Sequence, residues 1–222
     1  MVSPRSLSDG AAALLEEIPP GVILVAAAKT RTAEEVKAVL DGGVTDIGHN
    51  YVQEAAAMIP AVGRDAHWHL IGHLQRNKAR KAAELFDVVE TIDSERIAAA
   101  LSRHCVDLRK VMQVLIEVNS AGEPQKAGVN PEDVLALAKA IAPLPGIRLQ
   151  GLMTMGPFAG DPEDARPYFR TTRETFERVR DAAVSGVEMR QLSMGMSHSY
   201  LVAIEEGATI VRIGTKLFGP RP

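Results

Sequence analysis

The stretch "VILVAAAKTRTAEE", residues 22–35, joins an apolar run to the opening of a helix with a lysine between them. The run Val22–Ala28 is too short for a typical helix and suits a buried strand. Thr32-Ala-Glu-Glu35 reads as a capping box, in which the Thr32 hydroxyl and the Glu35 carboxylate each satisfy a backbone N–H at the helix start. Val36, Val39 and Leu40 then share one face of that helix. A strand feeding a helix is half of a βαβ unit, and here the strand tip carries the cation of Lys29.

The unit recurs. Short apolar runs appear at 22–28, 44–49, 67–72, 87–92, 111–118, 147–153, 189–194 and 209–214. Between them lie helix signals. Ser94 precedes Ile97, Leu101 and Cys105 at intervals of four, and Asn130-Pro131-Glu132-Asp133 offers a cap, a proline at the first helical position and first-turn acids. Asp161-Pro162-Glu163-Asp164 repeats that start ahead of Phe169, Phe176 and Val179. Strands alternating with helices imply parallel pairing. An open doubly wound sheet competes with a closed barrel, and the count of eight runs favours the barrel, at a length of 222 residues near the short end of its range. With no linker-like boundary, the expectation is α/β: a single (β/α)8 TIM barrel domain over residues 1–222.

Hydrophobic residues make up 46% and charged residues 24%, ordinary values for a globular core, while aromatics at 4% leave that core to Ala, Val, Leu and Ile. A net charge of −3 gives no electrostatic reason to expect nucleic acid or an anionic membrane surface. One cysteine, Cys105, excludes an internal disulfide, and no segment approaches membrane-spanning length, so a cytoplasmic protein is expected.

In a barrel, chemistry sits at the C-terminal strand tips. Alternation puts Ile23, Val25, Ala27 and Lys29 on one face. Desolvation disfavours the charged form of a lysine, and the freed amine can attack a carbonyl to form a Schiff base. Taken alone, Lys29 also fits a lysine marking where the strand meets water. The last run, "TIVRIGTKLFGPR", leads into Gly214-Thr215, where backbone N–H groups and a hydroxyl could hold an anion. "LSMGMSHS" clusters Ser193, Gly195 and Ser197 at the tip before it, a plausible second wall of a phosphate cup, although Ser197 could equally cap a helix. A lysine facing a phosphate cup suits a phosphorylated aldehyde, either pyridoxal 5'-phosphate or a sugar phosphate. Arg212 shares a face with Ile210 and Gly214. Beside a pyridine nitrogen it can only donate, which opposes protonation of the ring; as a surface arginine it would pair with acids. Asn50 could bond a ring oxygen or cap the next helix. His67 and His69 share a strand face, with His73 beyond, but no third ligand has a convincing spacing, so no metal site is expected. Arg76 to Lys81 reads as a solvated basic face.

At "VAAAKT", "GHNYVQEA", "WHLIGHLQRNK", "IEVNSAGEPQKAGV", "GLMTMG" and "LSMGMSHSYLVAIEEGATIVRIGTKLFGPR" the sequence resembles the pyridoxal phosphate homeostasis proteins, whose fold is like the N-terminal barrel of alanine racemase, a fold-type III arrangement. The resemblance implies an internal aldimine on Lys29. It assigns the phosphate to Ser197, Gly214 and Thr215 with help from Ser193, the pyridine nitrogen to Arg212, and a pocket role to Asn50. It departs from the family pattern at His49, where a glutamate is usual, and at His198-Ser199, where an acid usually follows.

Racemases of this fold take a second acid–base group from an additional domain, for which the barrel leaves no room here. The expectation is therefore a carrier or regulator acting in vitamin B6 and amino-acid homeostasis, and not an enzyme. Such a protein would exchange pyridoxal phosphate and related vitamers with apo-enzymes as transient recipients, as a monomer. A one-domain enzyme with weak racemase or transaminase activity is the alternative, and a Schiff-base aldolase a further one.

Overall fold

In the computed structural model, which describes residues 3–122, 127–157 and 160–220, all eight apolar runs are parallel strands. They are β1 (Ile23–Ala27), β2 (Asp46–His49), β3 (His67–Leu70), β4 (Val88–Ile92), β5 (Met112–Val118), β6 (Ile147–Thr154), β7 (Gln191–Ser193) and β8 (Ile210–Ile213). Each pairs with its sequence neighbour, and β1 pairs with β8, which closes the barrel. The helices are α1 (Pro4–Glu17), α2 (Ala33–Asp41), α3 (Val52–Val62), α4 (Ala79–Leu85), α5 (Glu95–Asp107), α6 (Val134–Ile141), α7 (Arg166–Asp181), α8 (Tyr200–Glu205) and α9 (Thr215–Phe218). The strand pattern matches the sequence expectation of a (β/α)8 barrel.

Alternation along β1 sorts its side chains into two cores. Leu24, Ala26 and Ala28 belong to the large cluster between sheet and helices. Val25, with Ile23 and Ala27 beside it, joins Ile71, Leu115, Met153 and Ile210 in a small separate cluster inside the barrel. The outer layer holds Trp68, Phe86 and Phe169, each with no appreciable exposure, and burial of each such side chain contributes about 1.5–3 kcal/mol. Space inside is tight. A side chain at Gly48 would meet Val25 at 2.8 Å and Ile71 at 2.9 Å, so any larger residue there would have to push the inner core aside.

Local signals held to different degrees. The Thr32 capping box forms with both of its bonds. Asp161 also closes a capping box, onto a short 3-10 turn (Pro162–Ala165) that runs into α7 and buries Phe169, Phe176 and Val179. Asn130 does not cap a helix. Its carbonyl accepts from Asp133 N–H in a turn, and α6 begins only at Val134, with Asp133 at the position before it. Arg76, Arg80 and Lys81 are solvent-exposed, as a basic face should be.

Candidate functional site

The strand tips open into a cavity of about 280 Å³ lined by Lys29, Asn50, Ser197, Arg212, Gly214 and Thr215, with Ala27 and Ile71 as apolar wall. Six of the seven residues singled out from the sequence therefore meet in one place, and they come from the tips of β1, β2, β7 and β8. Lys29 is half-buried, and its Nζ lies 5.0 Å from the centroid of the Tyr51 ring, which is 50% exposed. That cation–π contact attracts the ammonium without covering it. Thr30 follows in the left-handed region, with φ of 64°. For a β-branched residue this costs about 1–2 kcal/mol, and the sharp turn lets Lys29 and Arg31 face the same cavity.

Ser197 links the two walls of the expected cup. Its Oγ accepts from Gly214 N–H at 3.1 Å and Lys216 N–H at 3.2 Å, which leaves its own proton free to donate. It does not cap α8: Ser199 stands at that position, and Ser199 Oγ accepts from Met196 N–H. The turn between β7 and α8 requires Gly195, whose φ is 92° and where a Cβ would lie 2.5 Å from Ala203 Cβ. Asn50 does not cap α3 either, since Tyr51 occupies that place.

Ser193 is the residue the structure moves. It is wholly buried, does not line the cavity, and sits in a polar chain beneath it. Ser193 Oγ donates to Glu90 Oε2 at 2.6 Å and accepts from Arg212 Nη1 at 2.5 Å. Arg212 Nη2 also donates to the Thr154 carbonyl at 2.7 Å, so the guanidinium is held from two sides as it enters the cavity floor. Glu90 Oε1 meets His69 Nδ1 at 2.7 Å, and His69 Nε2 meets Asp46 Oδ1 at 3.0 Å. Burial pushes the His69 pKa down, but the bonds to Asp46 and Glu90 more than offset it and hold the ring at about 9. Burial likewise pushes Glu90 up, and the bond to His69 with the field of Arg212 brings it below the ordinary carboxylate range. Two carboxylates and two cations thus balance inside the barrel, the condition for keeping charges out of water. Burial lowers Arg212 as well, opposed by Glu90 and Glu117.

The histidines read as possible ligands have other roles. His69 is the centre of that chain, the His67 side chain is 74% exposed and lies 3.6 Å from Asp46, and His73 pairs with Asp93 at 3.3 Å. Sequence reasoning passed over Arg31, Met155 and Met196, which line the cavity together with His198, noted there only as a departure from the family pattern. Arg31 was within reach, two residues beyond Lys29. The methionines carry no pattern of their own.

Comparison with known proteins gives the family and the fold. The family model for the alanine racemase N-terminal domain matches residues 11–222. A pyridoxal phosphate homeostasis protein of Aquifex aeolicus (strain VF5) is 41% identical over 199 residues, covering 89% of this chain and 86% of that one. PipY of Synechococcus elongatus PCC7942 superposes with a TM-score of 0.90 at 33% identity in its structure without PLP, covering 96% of this chain and all (100%) of that one. In its structure with PLP bound the values are 0.88 and 32%, with the same coverage of 96% and 100%. Alanine racemase of Clostridium difficile 630 shares the fold at a TM-score of 0.81 and 15% identity, with 97% of this chain lying on 60% of that enzyme. The chain belongs to the alanine racemase N-terminal domain family and, within it, to the pyridoxal phosphate homeostasis proteins.

Proposed function

We propose that this chain binds pyridoxal 5'-phosphate reversibly, with Lys29 as its covalent anchor, and serves as a carrier or regulator of that cofactor. The observation that carries the reading is the single cavity shared by Lys29, Asn50, Ser197, Arg212, Gly214 and Thr215. The donors suit the group. The Ser197 and Thr215 hydroxyls offer a phosphate site beside Gly214, whose N–H holds the Ser197 oxygen in place so that its proton can point at the anion, while Asn50 offers an amide for a ring oxygen and Arg212 a donor for the pyridine nitrogen. When bound, the cofactor supplies an aldehyde carbon and a ring able to draw off electrons.

The residues of the chain favour holding over turnover. Arg212 is fixed by Ser193 and Thr154 and has no acceptor atom, so it cannot accept a proton from the ring nitrogen or stabilise it in protonated form. Lys29 is only half-buried, so water and an incoming amine reach its Nζ, which suits exchange. The homeostasis names of the relatives support the same reading. Apo-enzymes as transient recipients, a cytoplasmic setting, a monomeric state and one domain over the chain complete the proposal.

Protein loaded with pyridoxal phosphate is expected to absorb visible light, and Lys29→Ala to lose that band. Borohydride reduction and peptide mapping should place the label on Lys29. Retained colour in the variant, or a label on another lysine, defeats the assignment. Deuterium exchange at the α-carbon of amino acids, sustained above the rate with free cofactor, would replace the carrier with the racemase or transaminase reading.

A further inference from the structure

A second chamber, open to solvent along Thr30, Ala57 and Ala61, lies back to back with the first, on the outer side of β1 and β2. Ala28 and His49, whose side chains point away from the barrel axis, form its floor, and the start of α2 and the face of α3 form its walls. Its volume is about 330 Å³, an order of magnitude above the roughly 30 Å³ that one water occupies in the liquid. The lining is largely apolar, with Ala33, Ala57, Met58 and Ala61.

Its polar end is unfinished. His49 is 1% exposed, and neither ring nitrogen has a hydrogen-bond partner. One ring face stacks on Trp68 at 5.9 Å between centroids. Glu54 Oε2 is also buried without a hydrogen-bond partner, 3.8 Å from His49 Nδ1. That gap is too long for a direct hydrogen bond and suits two acceptors that share one donor atom. Buried polar atoms left without partners are costly, so a pair of them converging on a roomy chamber points to a group that completes them.

Charge selects the group. Burial pushes the His49 pKa down to about 4, so the ring is neutral at pH 7 and presents a lone pair. The guanidinium of Arg31 also borders the chamber, but it is committed to Glu35 and to the carbonyls of Phe218, Gly219 and Pro220. The uncommitted charge is the Glu54 carboxylate.

We propose that this chamber binds a small primary alkylammonium, its nitrogen donating to Glu54 Oε2 and His49 Nδ1 and its alkyl chain lying along Ala33, Ala57, Met58 and Ala61. The site is independent of the cofactor reading, and the test keeps them apart. Full-length Lys29→Ala protein, in which an amine has no covalent linkage to displace, is titrated at pH 7 with n-butylammonium chloride, n-butanol and sodium n-butyrate. Calorimetry and the ring-nitrogen NMR signals of His49 are followed together.

Saturable binding of butylammonium with movement of the His49 signals is expected, with butanol at least about tenfold weaker and butyrate silent, since the charged hydrogen bond is the main discriminator. Glu54→Gln, at a side chain 34% exposed and so tolerant of change, should weaken butylammonium by at least about tenfold. His49→Phe, which keeps a ring against Trp68, should do the same. Absence of saturable binding, equal affinity for butanol, unmoved His49 signals, or unchanged affinity in Glu54→Gln would each overturn the proposal.

Discussion

His69 and His49 stand on neighbouring strands, are 2% and 1% exposed, and behave as opposites. His69 faces into the barrel between two carboxylates and is held charged, with a pKa near 9. His49 faces outward against Trp68, has no hydrogen-bond partner, and is pushed to about 4. Equal burial therefore fixes neither charge nor role. The partners decide, and strand parity decides the partners.

The largest test of that contrast is His69→Leu. It strands Asp46 and Glu90 without their shared cation, and the expected loss is about 3–5 kcal/mol in urea unfolding at pH 7. A loss under about 1 kcal/mol would mean that the chain of charges is looser than its distances imply. The pH profile of stability should separate the two rings next. The folded pKa of His69 lies above the ordinary histidine value of 6.5, so its contribution is full below that pH and is lost as pH rises through about 9. His49 is depressed, so the unfolded chain takes up the proton first, and stability is lost as pH falls from 6.5 toward about 4. Asp46 and Glu90 lie below the ordinary carboxylate range, and their contribution disappears only at still lower pH. Unfolding curves across pH should then show an alkaline limb that His69→Leu flattens and an acid limb that His49→Phe flattens. The smallest effect belongs to His49→Phe at pH 7. It gives up no hydrogen bond and keeps the stacked ring, and the expected change is within about 1 kcal/mol.

The same contrast separates what the sequence disclosed from what it withheld. Short apolar runs located every strand, and alternation put Lys29 on the face of Val25 and Arg212 on that of Gly214, because each signal is carried by adjacent residues. Ser193 was grouped with Gly195 and Ser197 at one strand tip, but a cluster of neighbours in sequence says nothing of depth. Ser193 is the last residue of β7 and is drawn into the barrel by its bonds to Glu90 and Arg212, below the cavity that Ser197 reaches. Asp46 and Glu90 went unnoticed for a different reason. Their meaning depends on His69, 23 and 21 residues away, and no local pattern records such a pairing. At α6 the sequence misled, since Asn130-Pro131 suits a turn as well as a helix start and the path of the chain chose the turn.

Arg31 gives the barrel a latch across its seam. The sheet closes where the first strand meets the last, and the loop leaving β1 reaches over to grip the carbonyls of Phe218, Gly219 and Pro220. The segment that carries Lys29 and the segment that carries Gly214 and Thr215 are therefore tied twice, once by strand pairing and once by this grip. A disturbance that frays residues 218–220 would reach the lysine without crossing the core, so the two ends of the pocket behave mechanically as one piece.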